Sequence, residues 1–249
     1  MNADVSPPTS SRPDVAVEAS GICRRYGRRW ALVDVGFTLA RGETLVLAGR
    51  NGSGKSTLLR VLSTAIRADR GSARVEGHDL QKDRQQVRRL SALLGHHSNF
   101  YEALTALENL QVAARFLGRD VSRPALEERL GEVGLADRAD DAVATFSAGM
   151  RKRLMLARTL LQDASVVFLD EPYGHLDPPG FRLVDDTIDR LRGRGATVVI
   201  ATHLLERGAE QSERALLLES GRVAWQGQAR DLMREGGAFA TGRPEKTGT

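Results

Sequence analysis

The sequence predicts an α/β fold with a mostly parallel sheet at its centre. Three observations carry that prediction. Residues 44–48, 166–169 and 198–201 are short, continuous apolar runs, the pattern of strands buried on both faces of a parallel sheet. Helical stretches alternate with them, as crossover connections require. The first run leads through a Gly-rich turn into Leu58, Leu59, Val61 and Leu62, spaced as one face of a helix.

The other elements follow in chain order. Residues 1–14 are rich in Pro, Ser and Asp, lack an apolar core, and read as a disordered leader rather than a secretory signal. Cys23 is a lone cysteine with no internal disulfide partner, which suits a cytoplasmic protein; it reads as a small, half-buried strand residue. The middle, about 100–161, reads as helical. Thr105 and Glu108 form a capping-box pair ahead of Leu110, Ala113, Ala114 and Leu117. Two apolar runs, 215–218 and 222–225, flank Glu219-Ser220-Gly221 as a hairpin would. The tail 236–249 is Gly-, Thr- and charge-rich and reads as flexible.

With 249 residues, 41% of them hydrophobic, the chain can build one sizeable core or one core with a smaller inserted subdomain. No apolar run approaches the roughly 20 residues of a membrane-spanning helix. The net charge is +4, yet the basic residues are scattered. Of the tight clusters, Arg24-Arg25 with Arg28-Arg29 holds one interleaved aromatic, Tyr26, and Arg151-Lys152-Arg153 holds none, short of the series of stacking platforms that single strands need. They read as solvated surface, or as attraction to phosphates and anionic lipid heads, and argue against a nucleic-acid partner.

Residues Gly49, Arg50, Asn51, Gly52, Ser53, Gly54, Lys55 and Ser56 match G-x-x-x-x-G-K-[ST] in full, with a strand before and a helix after. Glycines let successive N–H groups turn inward toward phosphate oxygens, and the helix start adds partial positive charge. Lys55 is the mobile cation for the β- and γ-phosphates of ATP. The Ser56 hydroxyl is a ligand for Mg²⁺, and Thr57 extends the cradle. The run 166–169 ends in Asp170-Glu171-Pro172, at the carboxyl edge of the sheet, where ligands bind in open α/β folds. Asp170 is placed to hold Mg²⁺, and Glu171 to orient or deprotonate the attacking water as the catalytic carboxylate. Together these motifs define a P-loop NTPase. Upstream, Ser147 caps a helix whose apolar face is Met150, Leu154, Ala157 and Leu161, leaving the N–H groups of Ala148 and Gly149 free for an anion.

At this point residues 15–228 resemble the ATP-binding cassette (ABC) ATPases. The family signature is Leu-Ser-Gly-Gly-Gln; Phe146, Ala148 and Met150 depart from it, while Ser147 and Gly149 remain. The resemblance implies an antiparallel β subdomain, an inserted α-helical subdomain at about 97–162, and a cassette spanning 15–235. It also implies a head-to-tail homodimer, in which Ser147, Ala148 and Gly149 of one copy cap the γ-phosphate held by the other. Tyr26 resembles the aromatic that stacks on adenine, His203 the catalytic switch histidine at the γ-phosphate, and Asp177 the loop through which the two sites communicate. Where the family has Gln between sheet and helical subdomain, this chain has His96, followed by His97. Gly95-His96, the 104–110 run and Ser147-Ala148-Gly149 together resemble the haem-exporter ATPases of cytochrome c maturation. The resemblance therefore implies an ATP-hydrolysing motor, peripheral at the cytoplasmic face of the membrane and docked on an integral-membrane permease, with haem export as its work. The alternative is a motor for a drug, lipid or ion exporter. A soluble regulator ranks below both, because such proteins commonly carry two cassettes or a long coiled-coil insertion.

Overall fold

The computed structural model describes residues 15–96 and 98–236. The expected leader, His97, and the expected tail beyond residue 236 lie outside the described residues.

The chain opens with two long strands, β1 (Val15–Tyr26) and β2 (Arg29–Ala40), then β3 (Thr44–Ala48) and helix α1 (Lys55–Leu62). Strands β4 (Arg70–Val75) and β5 (His78–Asp79) precede α2 (Arg84–Leu90) and β6 (Ser91–Leu94). Three helices follow, α3 (Ala106–Leu117), α4 (Arg123–Glu132) and α5 (Ala148–Leu161). The remainder alternates: β7 (Val166–Asp170), α6 (Pro178–Gly193), β8 (Thr197–Ala201), α7 (Leu205–Glu210), and the hairpin β9 (Arg214–Glu219) with β10 (Arg222–Gln228).

Among the described residues the strands form two sheets. One is antiparallel in the order β2-β1-β4-β5; the other runs β10-β9-β3-β8-β7-β6, with four parallel pairings and the antiparallel β9–β10 hairpin at one edge. Every residue of β3, β7 and β8 is buried, as their unbroken apolar runs require. In the antiparallel sheet, β1 is buried on one face only in part: Ala16, Val17, Ala19 and Ile22 are buried, and β-bulges that shift its register against β2 interrupt the alternation.

One core layer packs α1 between the two sheets, joining Leu58, Leu59 and Leu62 to Leu32, Val35 and Phe168. A second packs α3, α4 and α5 with α6 against the other side of the parallel sheet, through Leu110, Leu126, Leu154, Val184 and Ile188. The expected capping box is formed: the Thr105 Oγ1 accepts from Glu108 N at 3.1 Å, and Glu108 Oε2 accepts from Thr105 N at 2.8 Å. Cys23 is partly buried on β1, and its Sγ accepts from Asp34 N at 3.2 Å. No helix among the described residues is long and apolar enough to cross a membrane.

Candidate functional site

Parallel neighbours deliver their carboxyl ends to one edge of a sheet. Leu94 of β6 lies beside Leu169 of β7, and Asp170 of β7 beside Ala201 of β8. The residues just past those ends, His96, Glu171 and His203, therefore meet beside the loop that leaves β3.

That loop is shaped by close approach. A Cβ on Gly49 would stand 2.3 Å from the Leu218 carbonyl, and one on Gly54 would stand 2.6 Å from the Ala31 carbonyl. Both glycines also hold left-handed backbone, at φ 138° and 111°. Gly54 ends the loop as the N-cap of α1 with no side-chain cap, so the first amides of the helix have no partner from that side chain. Lys55 is 5% exposed, and its Nζ donates to the carbonyls of Gly49 at 2.7 Å and Arg50 at 3.2 Å. Burial lowers its pKa, against the opposing pull of Glu171 and Asp170. The Ser53 hydroxyl is buried without a hydrogen-bond partner among the described residues.

Tyr26, Asn51, Gly52, Gly54, Lys55, Ser56, Thr57, His96 and Glu171 line one cavity of about 470 Å³. Tyr26 stands at its mouth, 46% exposed, with the Arg24 guanidinium 5.1 Å from its ring centroid. Gly49, Arg50 and Ser53 face the other side of the loop, in a cavity shared with Trp30 and Leu218.

At the floor, the Ser56 Oγ donates to Asp170 Oδ1 at 2.9 Å, and His96 Nε2 stands 3.3 Å from both Ser56 Oγ and Asp170 Oδ2. Asp170 is 2% exposed; burial raises its pKa, against the lowering effect of His96 and of the Ser56 hydrogen bond. A hydroxyl and a carboxylate are hard oxygen donors, so this pair fits Mg²⁺. Glu171 leaves β7 at φ 47°, a left-handed conformation uncommon for a non-glycine residue. Its N–H donates to the Ala201 carbonyl at 2.8 Å, and its Oε2 lies 2.8 Å from His203 Nδ1.

The signature segment opens elsewhere. Ser147 caps α5, its Oγ accepting from Met150 N at 3.2 Å. Ser147, Ala148, Gly149 and Asp177 line a cavity that shares no residue with the phosphate-loop cavity. Asp177 caps α6 by accepting from Gly180 N at 2.9 Å. Within one chain, the structure thus gathers Tyr26, the phosphate loop, His96, Asp170, Glu171 and His203, and leaves Ser147, Gly149 and Asp177 apart from them, while Ala148 also faces a cavity that it shares with Asn51, His96, Glu171 and His203. One neighbour of Glu171 was hidden in the sequence. Lys152, expected on a solvated basic patch, is 6% exposed, and its Nζ donates to the Glu171 carbonyl at 2.9 Å.

A phosphate loop, an acidic strand end and a separate capped helix on a mixed sheet define a P-loop ATPase cassette. Residues 32–174 match the family model described as ABC transporter. The chain is 39% identical over 226 residues to the daunorubicin resistance ATP-binding protein DrrA3 of Streptomyces coeruleorubidus, covering 90% of this chain and 72% of that protein. It is 33% identical over 228 residues to the doxorubicin resistance ATP-binding protein DrrA of Mycobacterium tuberculosis, covering 90% of this chain and 69% of that one. A solved dimeric structure of a bacterial ABC transporter cassette superposes with a TM-score of 0.79 at 25% identity, over 86% of this chain and 99% of the other. This chain belongs to the ABC transporter family, as an ATP-binding, ATP-hydrolysing subunit. Neither of the two sequence relatives is named for haem export.

Proposed function

We propose that this chain is the motor of an exporter of drug-like compounds, acting as a two-copy nucleotide clamp docked on a membrane permease at the cytoplasmic face. The relatives named for anthracycline resistance support that cargo class over haem. The expectation of haem export rests on Gly95-His96, the 104–110 run and Ser147-Ala148-Gly149, and those local matches weigh less than likeness over 90% of the chain.

The observation that carries the clamp is the separation of the two cavities. The Ser147 and Gly149 end of α5 lines a cavity apart from the phosphate loop of its own chain, and a second copy would bring one to the other. In the closed pair, Lys55 and the loop amides bind the phosphates, and Ser147, Ala148 and Gly149 of the other copy cap the γ-phosphate. Tyr26 stacks on the base. Ser56 and Asp170 would hold Mg²⁺, which when bound neutralises charge on the β- and γ-phosphates. His96 lies against that pair and orients it. Glu171 accepts a proton from the attacking water, and His203 holds the Glu171 carboxylate in line while facing the γ-phosphate. Asp177, beside the tip, relays the state of one site to the other. Contacts to the γ-phosphate exist mainly in the closed pair, so ATP favours closure and its hydrolysis releases it.

The test is transport. Inverted vesicles containing this chain and its co-purifying permease should accumulate daunorubicin with ATP and fail to do so with Glu171→Gln. ATP-driven uptake of haem with no uptake of daunorubicin would return the cargo to haem.

A further inference from the structure

We infer that Lys152 is a positioning residue that ties the signature helix to the backbone of the catalytic carboxylate. The inference rests on the assignment of Glu171 as the proton acceptor.

Three observations converge on it. Lys152 lies on α5 five residues beyond Ser147, about 7.5 Å along the helix axis. Ala148, Lys152 and Met155, at helical spacing, face one cavity together with Glu171 and His203. The Lys152 Nζ reaches the Glu171 carbonyl, which also accepts from Gly174 N at 3.2 Å. That carbonyl belongs to a residue held at φ 47°, a conformation that persists only where its surroundings fix it.

Charge makes a purely structural role a poor explanation. Burying an ammonium costs free energy unless it is paired, and among the described residues Lys152 has no carboxylate within ion-pair distance, only the longer-range attraction of Asp170 and Glu171. An apolar side chain of the same length would fill the space with less desolvation. The flanking basic residues are tied elsewhere: Arg151 Nε donates to the Phe146 carbonyl and Arg153 Nη1 to the Val133 carbonyl. Lys152 alone of the three reaches the sheet edge. When the tip of α5 engages nucleotide on the other copy, any shift of the helix is passed through this hydrogen bond to the Glu171 peptide. The carboxylate is thereby aligned only when the tip is engaged.

The experiment compares Lys152→Met, Lys152→Gln and Lys152→Arg with the parent chain in complex with its permease. Lys152→Met should lower kcat by tenfold to 100-fold, the order expected for small misplacement of a catalytic group. KM for ATP and ATP-dependent dimerisation in a Glu171→Gln background should stay within about twofold. Lys152→Gln or Lys152→Arg, each keeping a donor, should recover most of the lost kcat. Nucleotide binding by each variant reports that it is folded, and if Lys152→Met does not fold, the two donor variants decide through their kcat. A kcat for Lys152→Met close to the parent's, or a loss of kcat that neither donor variant recovers, overturns the inference. If Glu171→Gln itself hydrolyses ATP at the parental rate, the assignment of Glu171 fails instead, whatever Lys152 does.

Discussion

The phosphate-loop edge and the signature tip differ in how far each is finished within one chain. At the edge, Lys55 and Asp170 are buried, glycines are clamped against the Leu218 and Ala31 carbonyls, and Glu171 is tied from three sides. At the tip, Ser147 and Ala148 are exposed, and the Ser147 hydroxyl caps the helix. On the proposed clamp, the difference teaches that folding a single chain sets Lys55, Asp170 and Glu171 in place, while the cap on the γ-phosphate is left for assembly.

The largest expected effect lies at the finished edge. Glu171→Gln should lower turnover on the order of 1,000-fold, keep ATP affinity and accumulate a dimer, as seen by single-turnover kinetics and light scattering. Turnover near the parental rate would remove Glu171 from its role.

Ser147→Arg addresses the tip. Its exposed site tolerates the larger side chain, so ATP binding by the isolated chain should hold within about twofold while hydrolysis falls by about 100-fold. A matching loss of affinity in the monomer would mean that Ser147 serves its own phosphate loop, and the contrast between the two regions would fall.

Lys55→Ala sharpens the comparison from the other side. Losing a charge-assisted contact to phosphate should weaken ATP binding by tenfold to 100-fold in a titration of the monomer. Unchanged affinity would count against the phosphate-loop assignment.

The smallest effect concerns stability. Burial raises the Asp170 pKa above its value of 3.8 in an unfolded chain, so the folded chain retains a proton that the unfolded chain releases. The stabilisation from that proton is complete below pH 3.8 and is lost as pH rises through the raised value. Asp170→Asn removes the buried charge and should raise the nucleotide-free Tm at neutral pH by roughly 2–4 °C, while abolishing magnesium-dependent hydrolysis. A lower Tm would mean that the carboxylate is stabilised by Ser56 and His96 more than burial costs it.

The finished edge is also the part most legible in the sequence. Its phosphate loop is one contiguous segment with a fixed spacing, and Asp170-Glu171 follows an unbroken apolar strand, so local pattern suffices. The capping box at Thr105 and the 215–225 hairpin were legible for the same reason. The antiparallel sheet was expected only from resemblance, because bulges in β1 break the alternation that marks a half-buried strand. Lys152 was not legible at all. A basic trio on a helix looks like surface, and only the packing of α5 on the sheet edge turns one of its three side chains inward. Cargo is the least legible feature: Gly95-His96, the 104–110 run and Ser147-Ala148-Gly149 point to haem, whereas the relatives alike along 90% of the chain are named for daunorubicin and doxorubicin resistance.

The most direct measurement is complementation between two defective chains. Lys55→Ala and Ser147→Arg chains are assayed alone and after mixing, under conditions that exchange subunits. If each tip serves the opposite phosphate loop, a mixed pair keeps one intact site, and ATP hydrolysis returns on mixing. If the tip serves its own chain, every site in the mixture carries a defect, and the mixture stays as inactive as its parts.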